Sequence, residues 1–199
     1  MALRVGRSAV SAGRGGYRGN VDGYRPVYDT VSELGVPAVS DWHVLMNIAF
    51  CVSAVSVLVA GFCSAHLLAA RRWVYLAAVI GYSAGSVLVA SVHSGDGSAH
   101  VVGAVLAIGA GNVIAVVVGT GVRACPRWFS GGSLALGVVG FLASVLLIAG
   151  IGPVGAVERA SIYTFVAWEL LTALAIGRRR VSADSRNTAV RPAPRLRSF

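Results

Sequence analysis

Charged residues are scarce in this chain of 199 residues. Asp, Glu, Lys and Arg make up 13% of it, hydrophobic residues make up 56%, and the mean hydropathy is +0.73. A soluble domain carries about 25% charged residues, so this composition argues against an ordinary soluble protein and indicates a membrane protein. Lysine is absent, and all 17 basic residues are arginine. The formal charge of +9 arises mainly at the two chain ends, so no nucleic-acid partner is expected.

Cysteines and recognisable catalytic motifs are also sparse. Cys51 and Cys63 lie twelve residues apart on one predicted helix, a distance of about 18 Å that no disulfide bridges. None of the three cysteines has metal-ligand spacing. The chain contains no Gly-x-Ser-x-Gly, no phosphate-binding loop and no paired-cysteine motif. The interpretation therefore leans towards a protein that is not an enzyme and holds no cofactor.

What the chain does contain is a series of five long apolar segments. They are predicted as membrane spans at about residues 44–65, 73–92, 101–122, 133–151 and 157–177. Each is close to, or longer than, the roughly 20 residues that cross a hydrocarbon core. The fold class is predicted to be all-α, a polytopic membrane helical bundle of five transmembrane helices within residues 42–177, with antiparallel neighbours. A polar, partly disordered N-terminal arm (1–41) precedes it, and a basic, disordered tail (178–199) follows it.

The positions of the arginines predict the orientation of the bundle. Arg71 and Arg72 lie between the first two spans, Arg123 and Arg127 lie between the third and fourth, and seven more follow the fifth. This side is predicted to be cytoplasmic, so the protein is placed in the cell membrane with its C terminus inside. The N-terminal arm is then outside, although it carries five arginines of its own. No apolar core of signal-peptide length occurs in the arm.

The fifth span contains a single charge inside a long apolar run, Glu169. An ionised carboxylate in hydrocarbon costs at least about 2.5–3.5 kcal/mol, so Glu169 should face other helices. Glu158 lies eleven positions earlier, on nearly the same side of the helix. Tyr82 and Asn112 are predicted at a similar depth, and one of them is expected to hydrogen-bond Glu169. The simplest interpretation is a neutral acid that fixes helix packing, and the alternative is a proton relay or ligand site.

A second polar group is predicted at the outer membrane surface. His93, Asp96 and His100 share one loop, and Glu158 and Arg159 emerge on the same side. Two histidines with one or two carboxylates are suitable ligands for zinc with an open coordination position. The spacing H-x2-D-x3-H, however, matches no established zinc signature. The simpler interpretation is a turn in which Asp96 caps a helix or pairs with Arg159.

Several stretches resemble an uncharacterised prokaryotic family of integral membrane proteins, domain of unknown function 998. They are RPVYDTVSELGVP, DWHVLMNIAF, the loop from His93 to His100 and GAVERASIYTFVAWELLTALAIG, which together cover most of residues 24–177. The resemblance implies a membrane bundle and brings no established activity. It also implies a span before the RPVYD segment, which residues 1–23 do not supply.

Three functional hypotheses follow from these patterns. The first is a non-enzymatic membrane protein whose bundle holds a lipid or small apolar ligand, with a buried polar cluster of Glu169, Asn112, Tyr82 and Arg159. The second is a metal-dependent hydrolase facing outward, with catalytic candidates His93, Asp96, His100 and Glu158, of which the first three are the zinc candidates. The third is a small transporter centred on Glu169. The lipid bilayer is the expected partner, with anionic lipid contacting Arg178, Arg179, Arg180 and the tail.

Overall fold

The computed structural model describes residues 23–122 and 125–190, and every regular element in this part of the chain is a helix. The elements are a short 3-10 helix η1 (Ser32–Gly35), α1 (His43–Ser64), a second 3-10 segment η2 (Ala65–Arg71), α2 (Arg72–Ser91), α3 (Ser98–Gly121), α4 (Arg127–Ile148) and α5 (Val154–Val190). The all-helical prediction is confirmed.

The helices are joined by short connections that bring consecutive helices side by side. Gly95 (φ 97°) and Gly97 (φ 127°) lie between α2 and α3, and Gly150 (φ 66°) lies between α4 and α5. Only glycine enters these backbone regions without a steric penalty. The chain therefore reverses within a few residues at both places, which leads to antiparallel packing.

Hydrogen bonds between α1 and α2 show this antiparallel arrangement directly. Ser53 Oγ near the middle of α1 lies 2.7 Å from Tyr82 Oη near the middle of α2. Ser64 Oγ at the end of α1 lies 2.9 Å from Tyr75 Oη at the beginning of α2. The reversal occurs in η2, where Ala69 has a non-helical backbone (φ 35°, ψ −105°).

Four continuous helical stretches in the described residues are long and apolar enough to cross a membrane, judged by length and composition. They are His43–Ser91, Ser98–Gly121, Arg127–Ile148 and Val154–Arg180. The first stretch contains both α1 and α2, joined through η2. The structure thus supports a helical membrane protein, while the predicted number of five spans is not confirmed.

Glycine allows close contact between neighbouring helices. A Cβ at Gly85 of α2 would lie 2.5 Å from Ala107 N and 2.6 Å from Gly103 O of α3. This backbone-to-backbone proximity is typical of helices that pack in a bilayer. The apolar core lies where α2, α3 and α5 meet, around Val79 and Ile114.

Two predicted boundaries differ from the structure by more than three residues. The fourth helix begins at Arg127 rather than near residue 133, because its first turns contain arginine and glycine, which lower the hydropathy without ending the helix. The predicted disordered tail is wrong for residues 178–190, which continue α5. No proline or glycine interrupts residues 178–190, and the next proline along the chain is Pro192. Residues 1–22 and 191–199, on which the remaining predictions of disorder fall, lie outside the described residues.

Candidate functional site

Residues 24–40 form a cap on one end of the bundle, and Glu158 holds it there. The Glu158 side chain projects from the first turns of α5 and is only 6% exposed. Its Oε2 accepts a hydrogen bond from the backbone N–H of Val31 at 2.5 Å, and its Oε1 accepts one from Ser32 Oγ at 3.3 Å. A buried carboxyl group with two donors from the cap fixes the position of η1 above α5.

Arg159, the next residue along α5, binds the first half of the cap. Its guanidinium donates to the backbone carbonyls of Pro26, Asp29 and Gly155 and to the Tyr24 hydroxyl. Five N–H donors in a planar fork suit this set of acceptors better than an ammonium group would. A side chain at position 155 would overlap the cap carbonyls, so glycine is required there.

Backbone and amide contacts complete the attachment of the cap. Ala156 N–H donates to the carbonyl of Val27 at 2.9 Å, and Asn47 Nδ2 of α1 donates to the carbonyl of Gly35 at 3.1 Å. Within the cap, the N–H of Thr30 donates to Glu33 Oε2 at 3.1 Å. Desolvation raises the pKa of the Glu33 carboxyl group above its ordinary value, although the bond from Thr30 opposes this rise. The cap is therefore tied to both α1 and α5.

A cavity lies beneath the cap, between α1, α2, α3 and α5. Its polar lining consists of Ser32, Tyr82, Ser86, Glu158 and Ser161, and the rest is apolar: Phe50, Val89, Ala104, Ala107, Ile108, Ile162, Phe165 and Val166. The space open to the centre of a water-sized sphere is about 60 Å³. Since one water needs about 10–15 Å³ on that measure, the cavity admits a group of a few non-hydrogen atoms.

Aromatic side chains form one wall of the cavity. The Tyr82 and Phe165 rings lie 4.7 Å apart, and Phe165 stacks on Trp168 with centroids 5.3 Å apart. Trp168 Nε1 donates to Ser133 Oγ at 3.1 Å, and the Tyr82 hydroxyl bonds Ser53. These contacts hold the rings in place, so the cavity wall is preformed.

A separate polar cluster lies deeper, among α3, α4 and α5. Asn112 is 1% exposed, and its side chain lies 3.5 Å from both Ser144 Oγ and Thr164 Oγ1. Ser144 Oγ lies 2.7 Å from Ser161 Oγ. A Cβ at Gly140 would overlap the Asn112 amide, so glycine makes the space that the amide fills. This cluster joins three helices and borders the cavity at Ser161.

Glu169, Asn112, Tyr82 and Arg159 do not form one hydrogen-bonded cluster, although Tyr82 and Glu169 lie close enough to interact electrostatically. Tyr82 bonds Ser53, Asn112 bonds residues of α4 and α5, and Arg159 lies in contact with the cap. Glu169 is half-buried, and the predicted hydrogen bond from Tyr82 or Asn112 to it does not form. The similar depth predicted for these residues gives no information about which way each side chain points.

The outer-loop residues form two local contacts rather than one site. His93 Nδ1 lies 3.5 Å from Asp96 Oδ2. The His100 ring is buried, and its Nδ1 lies 2.6 Å from the carbonyl of Val92. Over residues 23–122 and 125–190, the structure contains no group of three His, Cys, Asp or Glu side chains that would hold a metal ion. The zinc site stays a prediction.

Arginine and tryptophan side chains pair at the opposite end of the bundle from the cap. The Arg72 guanidinium lies 4.6 Å from the Trp73 ring centroid, and that of Arg178 lies 5.3 Å from the Trp128 ring centroid. Arg71 donates to Thr120 Oγ1 at the end of α3. Such pairs are typical of helix ends that lie at a membrane surface.

The fold, the apolar helices and the interfacial arginines together define a helical membrane protein. The family model described as protein of unknown function, DUF998, matches residues 20–175. The chain therefore belongs to this family, which confirms the resemblance. No curated protein and no solved structure matches the chain. Two of the stretches that carry the resemblance, RPVYDTVSELGVP and the beginning of GAVERASIYTFVAWELLTALAIG, meet at Glu158 and Arg159.

Proposed function

We propose that this protein is a five-span protein of the cell membrane that binds a small, mainly apolar ligand in the cavity beneath the cap. The observation that supports the ligand site is the cavity itself. Apolar and aromatic side chains form most of its lining, and a few hydroxyl groups and one carboxyl group converge on it. Binding sites for small molecules have this composition.

The five-span topology rests on treating α1 and α2 as separate crossings. They have 22 and 20 residues, lengths of about 33 and 30 Å, and each alone matches the hydrocarbon thickness. They run antiparallel, and the turn between them contains Arg71 and Arg72. The arginines after the first, third and fifth spans support a cytoplasmic location for that side. The cap and the cavity then face outward.

Cysteine labelling tests this topology. In a chain whose natural cysteines are replaced, Ser94→Cys lies between α2 and α3, and Ala70→Cys lies between α1 and α2. An impermeant maleimide added to intact cells is expected to label Ser94→Cys at once and Ala70→Cys only after the membrane is permeabilised. Labelling of both positions from the same side would contradict separate crossings by α1 and α2.

Mass spectrometry of the purified protein tests the ligand site. Small molecules released from the wild type are compared with those from Ala104→Leu, which places a larger side chain in the cavity wall. Ala77→Leu on the exposed face of α2 is the matched control. We expect a molecule that the wild type and Ala77→Leu retain and Ala104→Leu loses. Identical profiles for all three proteins would contradict the site.

The cavity has more structural support than the outer-loop hydrolase. The catalytic hypothesis needs Glu158 beside His93, Asp96 and His100, whereas Glu158 accepts hydrogen bonds from Val31 and Ser32 of the cap. The buried ring of His100 is directed at the carbonyl of Val92. The ligand-binding function therefore needs no rearrangement of the described residues, and the hydrolase does.

A further inference from the structure

We propose that the ligand of this cavity carries a protonated amine, and that the amine binds at Glu158. This inference rests on the proposed ligand-binding function and adds the chemical class of the ligand. It follows from the positions of the charged groups, because a carboxyl group lines the cavity and the neighbouring arginine binds the cap.

Among the residues that the structure describes, the cavity lining contains one carboxyl group and no cation. Among its thirteen lining residues, the ionisable side chains are those of Glu158 and Tyr82. The other charged groups that act on Glu158 are Arg159 and Glu33, which have opposite signs. A carboxylate removed from water and left without a compensating charge inside the cavity is unfavourable, and a cationic ligand would supply that charge.

The cation that acts on Glu158 is Arg159, and its guanidinium already makes hydrogen bonds to the cap. The Arg159 guanidinium donates to the carbonyls of Pro26, Asp29 and Gly155 and to the hydroxyl of Tyr24. These bonds go to the cap and to Gly155 of α5, and Arg159 is not among the described residues that line the cavity. Within the described part of the chain, the hydrogen bonds that Glu158 receives come from neutral groups, the N–H of Val31 and the hydroxyl of Ser32.

The Glu158 carboxylate retains capacity for a further donor. An ionised carboxylate offers about four lone-pair sites, and the cap uses two of them. The hydroxyl groups of Ser32 and Ser86 lie in the same lining, so an ammonium group with three N–H donors finds several acceptors there. The apolar part of the ligand would lie against Phe165, Ile108 and Val89, which contribute no charge.

The size of the cavity limits the ligand to a small group or to the head of a longer one. About 60 Å³ admits a few non-hydrogen atoms. A short alkyl amine meets both requirements, because its ammonium group is charged at neutral pH and its chain is apolar. A neutral alcohol of the same length is the matched probe without the charge.

The experiment compares n-hexylamine with 1-hexanol as competitors for radiolabelled n-hexylamine. The full-length protein is held in nanodiscs of phosphatidylcholine, which has no net charge, and empty nanodiscs are the background. We expect the wild type to bind the amine at least ~10-fold more tightly than the alcohol. Ala104→Leu should lose both probes, and Ala77→Leu should behave as the wild type.

Glu158→Gln is the decisive variant, because it removes the charge and keeps a carbonyl that can accept from Val31. Its preference for the amine should disappear. Equal affinity of the wild type for the two probes, or an unchanged preference in Glu158→Gln, would overturn the proposal and leave the ligand site standing. If the wild type binds neither probe, or if Ala104→Leu binds both as the wild type does, the ligand site itself fails. The wild-type comparison decides the question even if Glu158→Gln does not fold.

Discussion

Glu158 and Val31 are 127 residues apart in the sequence, and a hydrogen bond of 2.5 Å joins the carboxyl oxygen of one to the backbone N–H of the other. This contact connects the segment before the first helix with the beginning of the last one. Because Ser32 lines the cavity and also binds Glu158, the attachment of the cap forms part of the cavity wall.

Replacement of Glu158 by alanine should destabilise the protein. The change leaves the N–H of Val31 buried without an acceptor, which costs about 1–3 kcal/mol. The free energy of unfolding in detergent is the measurement. Asp96→Ala is the control, since Asp96 is largely exposed, and its effect should stay within about 0.5 kcal/mol. Equal effects of the two changes would show that Glu158 does not hold the cap.

Arg159→Lys should loosen the first half of the cap without unfolding the bundle. A lysine ammonium has three donors and no planar fork, so it cannot reproduce the contacts with two cap carbonyls and Tyr24. Amide hydrogen exchange over residues 25–31 should become faster than in the wild type. Arg180→Lys, at an exposed position of α5, serves as the control and should leave exchange in the cap unchanged.

Gly140→Ala should be strongly unfavourable although alanine is the better helix former. Its Cβ would overlap the amide of Asn112, and forcing an extra methyl group into a packed site costs about 1–3 kcal/mol. Gly109→Ala is matched to it, because nothing lies within 4 Å of that Cβ. There the helix propensity should stabilise the protein by up to about 1 kcal/mol. Unfolding midpoints that shift in the same direction for both variants would contradict the packing described for α3 and α4.

The stability of the cap should depend on pH through Glu33. Desolvation raises the pKa of this carboxyl group in the folded protein above its ordinary value of 4.5. A raised pKa means that the folded cap binds the proton more tightly than the unfolded one. The contribution of Glu33 to the stability of the cap is therefore complete below about pH 4.5. It is lost as the pH rises through the pKa that Glu33 has in the folded protein.

Limited proteolysis of the cap as a function of pH measures this dependence. The protection of the wild type should fall as the pH rises above about 4.5. In Glu33→Gln, the decrease in protection that Glu33 causes should be absent. The protection curves of the two proteins should therefore converge at low pH and separate above about pH 4.5. Parallel curves at all pH values would show that protonation of Glu33 does not change the stability of the cap.

Local patterns explain why the helices were predicted well and their contacts were not. Hydropathy placed the first two helices within one residue of His43–Ser64 and Arg72–Ser91, because each is a continuous apolar run. It missed the first turns of α4, where Arg127 lies at the helix start, and the continuation of α5 beyond the apolar run. Interfacial arginines lower hydropathy while remaining compatible with helix.

The site was predicted only in part, since its contacts link distant residues. The sequence drew attention to Glu158 and Arg159 as polar residues at the beginning of an apolar helix, but it grouped them with His93 and Asp96 on the same predicted side of the membrane. Their actual partners, Val31 and Pro26, bind through backbone atoms and leave no side-chain pattern to detect. The attachment of the 3-10 helix at Ser32–Gly35 to α5 needed the structure.

The most direct test of the account is the accessibility of the cap to a thiol reagent. In the purified protein without its natural cysteines, Val31→Cys replaces a residue that is 6% exposed, and Val27→Cys replaces one that is 48% exposed. Maleimide should label Val27→Cys rapidly and Val31→Cys slowly, and adding Glu158→Ala should make Val31→Cys react rapidly as well. Rapid labelling of Val31→Cys with Glu158 intact would contradict a cap held over the cavity.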